Sequence, residues 1–154
     1  MRASASFIRP SDTTAYASGD LVANNTTAGS VLPLAFAIGE AGQQLIRRAK
    51  ISKSDASLTN ASFRLHLYRN SPTCTNGDNG AWLTTKLGYV GAMDVTVDKA
   101  FSDGAVGVGA PLAGTDMCVD VGTSRFLYGL LEARSGYTPV SAEQFDVTLE
   151  IVLG

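Results

Sequence analysis

Two segments of this chain alternate apolar and polar residues with a period of two. Phe63-Arg64-Leu65-His66-Leu67-Tyr68-Arg69 sends Phe63, Leu65 and Leu67 to one side and Arg64, His66 and Tyr68 to the other. Phe145 to Ile151 repeats the pattern more strictly, with Phe145, Val147, Leu149 and Ile151 on one face. Period two is the geometry of a strand, and one apolar face opposite one polar face marks an antiparallel sheet with a wet side. No stretch carries three turns of amphipathic helix, so the fold class is all-β. Short helical turns are expected only near Ser52 to Thr59 and Val97 to Ser102.

Further strands are read with less regular patterning. Leu32, Leu34, Phe36 and Ile38 share a face beside Pro33, which cannot donate to a ladder and so places that strand at an edge or at its own start. Leu45 to Ser52 mixes Arg47, Arg48 and Lys50 with apolar residues, which predicts a bulge or an edge. Met93, Val95 and Val97 alternate with polar neighbours. Phe126 to Arg134 is apolar on both faces, a pattern of double burial in which a neighbouring subunit is one candidate cover. Short strands around Ser6 to Arg9 and Tyr16 to Ala23 bring the count to about eight. Asn76-Gly77-Asp78-Asn79-Gly80, Ser102-Asp103-Gly104 and Ser135-Gly136 supply turn chemistry between them. The expectation is an antiparallel β-sandwich or jelly roll with long Gly-rich loops, Ser71 to Tyr89 and Ser102 to Thr123 being the two that resist strand assignment. Residues 1–14 are expected to form an N-terminal arm laid over a neighbour, because Asp12-Thr13-Thr14 lacks apolar density, and residues 15–154 a single domain.

At 154 residues the chain has the size of one domain. Its net charge of −2 offers no basic surplus for phosphates, so no nucleic-acid partner is expected. Charged residues are 17% of the chain, below the usual ~25%, which favours a surface partly covered in an assembly. The richest apolar run, Val31 to Ile38, is too short to span a membrane, and the N-terminus has no signal-like apolar region. The chain is expected to be made in a cytosol, where Cys74 and Cys118 read as free thiols.

No segment nominates a reaction. His66, the one histidine, lies on the polar face of its strand and is expected to be solvated; a small hydrolase built on it is the catalytic alternative. Gly104 to Ala110 is glycine-rich but has neither phosphate-loop nor dinucleotide spacing, and reads as a loop. Asn76 to Gly80 reads as a turn rather than a cation clip. No catalytic residue, metal site or cofactor is therefore predicted. Trp82, Tyr89, Tyr68 and Tyr137 are the residues of a conceivable sugar platform, and core or interface roles are the simpler account of them. The candidate interface, chosen for hydrophobicity, is Trp82, Tyr89, Phe126, Tyr128, Leu130 and Tyr137.

Three strings are distinctive as wholes: Ser6 to Ala23, Asn60 to Tyr68 running on to Trp82, and Leu127 to Arg134 with Tyr137-Thr138-Pro139. Together they resemble a family of small proteins encoded among the head genes of tailed bacteriophages, over Ser6 to about Val152. The resemblance implies a capsid decoration, or cement, protein with a jelly-roll-like sandwich. It implies the major capsid protein as partner, a dimer or trimer of the chain itself, and a place on the outer surface of the virion after synthesis in the host cytoplasm. No active-site residues carry over. A glycan- or receptor-binding module on the virion is the alternative.

Overall fold

The computed structural model describes residues 1–153. These residues form eleven strands: β1 (Arg2–Ile8), β2 (Leu21–Val22), β3 (Leu34–Ala37), β4 (Gln43–Lys53), β5 (Ser62–Tyr68), β6 (Tyr89–Thr96), β7 (Lys99–Phe101), β8 (Gly104–Gly109), β9 (Met117–Asp120), β10 (Phe126–Ala133) and β11 (Gln144–Leu153). All pairings are antiparallel, in two sheets. The first runs β1-β11-β4-β8-β7, with β9 also on β4; the second runs β2-β10-β5-β6, with β3 also on β10.

Setting aside short β2, β7 and β9 leaves eight strands, paired first to last: β1 with β11, β3 with β10, β4 with β8, β5 with β6. That nesting is one long hairpin rolled up into two sheets, the jelly-roll solution to burying two amphipathic faces. The alternating residues do as their period requires. Phe63, Leu65 and Leu67 of β5 and Phe145, Val147 and Leu149 of β11 are fully buried between the sheets. Each such side chain contributes about 1.5–3 kcal/mol relative to exposure. Phe63 meets the rings of Phe145 and Tyr137 edge-on, with centroids 5.3 Å away in both cases.

Several expectations are corrected. Residues 1–14 are not a free arm. β1 pairs along its whole length with β11, Ala3 is buried and Phe7 stacks on Phe145 at 5.5 Å. Ala3, Ala5 and Phe7 alternate with Arg2, Ser4, Ser6 and Ile8, a period-two pattern weak only because alanine is small. The strand expected over Tyr16 to Ala23 shrinks to Leu21–Val22. The helical turn expected near Val97 is strand β7, and Ser52 and Lys53 end β4. β4 is central rather than an edge, but it does bulge: Glu150 pairs with Arg48 and Ile151 with Ile46, leaving Arg47 unpaired. The slip lets Ile46 and Ala49 both point inward, although three positions separate them.

The glycine-rich string Gly104 to Ala110, expected as a loop, is β8. Its glycines serve a close approach. A Cβ on Gly107 would fall on the carbonyl oxygen of Thr96, and one on Gly109 on that of Asp94, so the edge of β6 lies directly over β8. Replacing Gly107 with alanine is therefore expected to destabilise the chain by about 1–3 kcal/mol. Val108→Ala, at an exposed position of the same strand, should stay within about 0.5 kcal/mol. Thermal unfolding of the two variants checks this.

Candidate functional site

β5 and β10 are adjacent in the second sheet, so their outward residues make one surface: Arg64, His66 and Tyr68 beside Tyr128, Leu130 and Glu132. Most of this face is covered: Arg64 and Tyr128 keep partial exposure, and the other four are buried. Residues 69–88 fold back over it, and Leu130, Tyr68, Leu21 and Cys74 form a second apolar cluster with Trp82 packed on its rim. The doubly apolar pattern of β10 thus has its cover within the same chain, which corrects its attribution to a neighbouring subunit.

The cover is fastened by a buried ion. Asp78 Oδ1 accepts the Tyr16 hydroxyl at 2.6 Å and the Ala23 amide at 2.8 Å. Oδ2 faces the Arg9 guanidinium at 3.4 Å, and neither charged side chain has any exposed surface. Arg9 also donates to Tyr16, to the carbonyls of Asp12 and Val140, and to Asp12 Oδ1. Burial raises the Asp78 carboxyl above its usual range, against the lowering effect of those donors. It also raises the Tyr16 phenol. Backbone bonds run beside the ion: Asp78 to Asn25, Asn79 to Leu21, Leu21 to Gly80 and Trp82 to Gly19, all between 2.7 and 2.9 Å. Gly77 fits under the Thr26 carbonyl where a Cβ would collide. The Asn76 to Gly80 string is thus a turn whose acid faces inward to Arg9.

His66 is buried, which overturns its expected solvation. The Trp82 ring lies on it at 4.2 Å between centroids. Its Nε2 is 2.8 Å from Glu132 Oε1, and its Nδ1 is 2.9 Å from the Tyr89 hydroxyl. A carboxylate only accepts, so Nε2 carries the hydrogen and Nδ1 accepts from Tyr89. Burial pushes the imidazole below its ordinary value, over the opposing pull of Glu132. Glu132 is also contacted by Arg134 at 3.4 Å. Arg64 and Asp94 form a bidentate pair alongside, at 2.6 and 2.9 Å, and that guanidinium holds the Asp94 carboxyl below the usual range. Chemically, the arrangement fixes a neutral imidazole between two partners and uses both ring nitrogens.

The six predicted interface residues separate into three groups. Tyr137 and Leu130 are buried, so neither lies at a surface: Tyr137 donates to Glu143 at 2.7 Å beneath Lys53, and Leu130 sits under the 69–88 cover. Trp82 and Tyr128 are half-buried. Tyr89 and Phe126 are exposed, and Tyr89, Tyr68, Tyr128 and Phe126 line up across three strands of the outer face. Two exposed leucines missing from the prediction, Leu83 and Leu87, at 57% and 70% exposure, sit on the covering segment itself. Cys74 is buried, Cys118 is exposed, and they do not pair.

No family model matches the chain, and no curated protein matches its sequence. Solved structures similar to it include a chain of the extra small virus particle of the giant freshwater prawn Macrobrachium rosenbergii. That likeness has 10% identity and a TM-score of 0.24, over 95% of this chain and 78% of that one. A family two carbohydrate esterase from Cellvibrio japonicus has 10% identity and a TM-score of 0.13, over 91% of this chain and 36% of that one. Neither likeness carries an argument about this chain.

Two outcomes are expected. Asp78→Ala removes the fully buried counter-ion of Arg9, leaves it only the partly exposed Asp12, and should cost about 3–5 kcal/mol in denaturant unfolding. For His66 the folded state binds the proton less readily than the unfolded state. Its contribution to stability is therefore complete above the unfolded value of about 6.5 and declines as pH falls from there. Between about pH 7 and pH 5, the wild type should lose more thermal stability than His66→Gln, which has no such proton to take up.

Proposed function

We propose that this chain is a structural protein of a virion, decorating the outer surface of a tailed-phage head and bridging major capsid subunits as a homo-oligomer. One observation carries the reading. The segment over 69–88 is fastened by a buried ion pair and yet displays Leu83 and Leu87 to solvent, beside a sheet face that ends in exposed Tyr89 and Phe126. Exposed apolar residues on a preordered support are what a broad protein surface can bind without a large ordering cost. The strings that resemble the phage-head family build this region: Arg9, Tyr16 and Ala23 come from the first, β5 and Asp78 from the second, β10 from the third.

Binding a mature lattice and not its precursor would stabilise the mature shell by mass action, and repeated contacts would add avidity. A non-catalytic role is consistent with His66, whose ring nitrogens are both occupied. For the alternative glycan platform, one face of the Trp82 ring is already taken by His66.

Co-sedimentation with mature capsids and with unexpanded procapsids of the source virus tests this. Saturable binding in many copies to mature shells, with a raised rupture temperature, is expected. Leu83→Ser with Leu87→Ser should weaken that binding while leaving the unfolding temperature near the wild-type value. Absence of binding to either shell would contradict the proposal.

A further inference from the structure

The two sheets present four edges, and an open edge is a template for another strand. Three of them are blunted. β7 and β9 share one edge in pieces of three and four residues, with Lys99 on β7. β2 and β3 share an edge in pieces of two and four residues, with Pro33 just before β3. β6 carries a bulge at Val90, since Leu67 pairs with Gly91 and Tyr68 with Tyr89, and it lies over β8. β1 has no such protection. It runs seven residues without proline, lysine or bulge, and its one charged side chain is Arg2.

The pairing with β11 decides which backbone groups of β1 are free. Met1 and Ile151 exchange two hydrogen bonds, at 2.7 and 2.9 Å, and the Arg9 amide donates to Glu143 at 3.0 Å. The register is unbroken in between. Bonded and non-bonded pairs alternate along an antiparallel ladder, so the odd-numbered residues bond β11. The N–H and C=O groups of Arg2, Ser4, Ser6 and Ile8 therefore point to the open edge.

We infer that two copies of the chain associate through this edge, β1 antiparallel to β1 about a two-fold axis at Ala5. In that register Arg2 faces Ile8 of the second copy and Ser4 faces Ser6. Every outward N–H meets an outward C=O, and no like charges oppose each other. The same seam carries apolar surface. Ile8 and Leu32, 56% and 72% exposed, flank an open groove of about 580 Å³ between β1 and β3, and the two-fold brings a second set to it. A second copy fits because the edge is complementary to itself in hydrogen bonding and sets no like charges against each other, Arg2 lying opposite Ile8. The inference gives the proposed homo-oligomer its interface and rests on that reading only for the oligomer's purpose.

Sedimentation equilibrium of the full chain tests it, with fold checked by thermal unfolding and Trp82 fluorescence. The wild type should be a dimer. Ser4→Lys with Ser6→Lys opposes lysine to lysine twice and should give a monomer. Ser4→Lys with Ser6→Glu opposes unlike charges and should remain a dimer. Ala5→Cys in a Cys118→Ser background should oxidise to a cross-linked dimer, since non-bonded pairs bring facing Cβ atoms to about 4.5–5.5 Å. A monomeric wild type, a dimer indifferent to the paired lysines, or loss of the dimer in both double variants would overturn the inference. So would a β1 edge that pairs only with a different protein. Shell binding by the monomeric variant is read separately, so failure of this interface and failure of the decoration role are distinguishable.

Discussion

A carboxylate without exposed surface is unfavourable unless its charge and lone pairs are met, and at Asp78 they are met by Arg9, Tyr16 and the Ala23 amide. Those partners lie on the chain's first 23 residues, while Asp78 lies in the long segment between β5 and β6. Satisfying the ion therefore requires that segment to lie down across the second sheet. Once it does, Tyr68, Leu130 and Cys74 are shielded, and Trp82 is placed on His66. What this part of the molecule shows to solvent is the outside of this covered layer, with Leu83 and Leu87, and the exposed Tyr89 and Phe126 of the sheet beside it.

The rolled-up hairpin makes such a layer possible. In nesting its strands first to last, it sets β10 between β5 on one side and β2 with β3 on the other, so one strand touches every part of the second sheet except β6. It also brings the two ends of the chain together as neighbours, β1 on β11, which leaves β1 as the outermost strand. A second buried network, Lys53 with Glu143 and Tyr137, holds the start of β11 to the end of β4 by the same logic as Asp78. Burial raises the Glu143 carboxyl, and Tyr137 and Lys53 oppose that.

The sequence made the two-sheet core legible because strand periodicity reports directly on burial. β5, β11 and β6 were readable from their alternation, and the edge position of β3 from Pro33. β1 and β8 were hard to see because alanine and glycine carry little hydrophobic signal, although they fill the positions where backbones come closest. The site was less legible. The lone His66 and the aromatic Trp82 stood out, but nothing in a linear pattern reports that a segment 16 residues further on stacks over the histidine. Asp78 looked like a turn residue because its partner Arg9 is 69 positions away. The one signal available was the second apolar face of β10, which announced a cover without saying which chain supplied it.

Residues 76–82 form a fastened layer rather than a pliant loop. Amide hydrogen exchange on the isolated chain reads this fastening residue by residue. Slow exchange is expected at Asp78, Asn79 and Trp82, whose amides donate to Asn25, Leu21 and Gly19, at rates near those of the strands beneath. Exchange at those three amides as fast as in an unstructured peptide would contradict it.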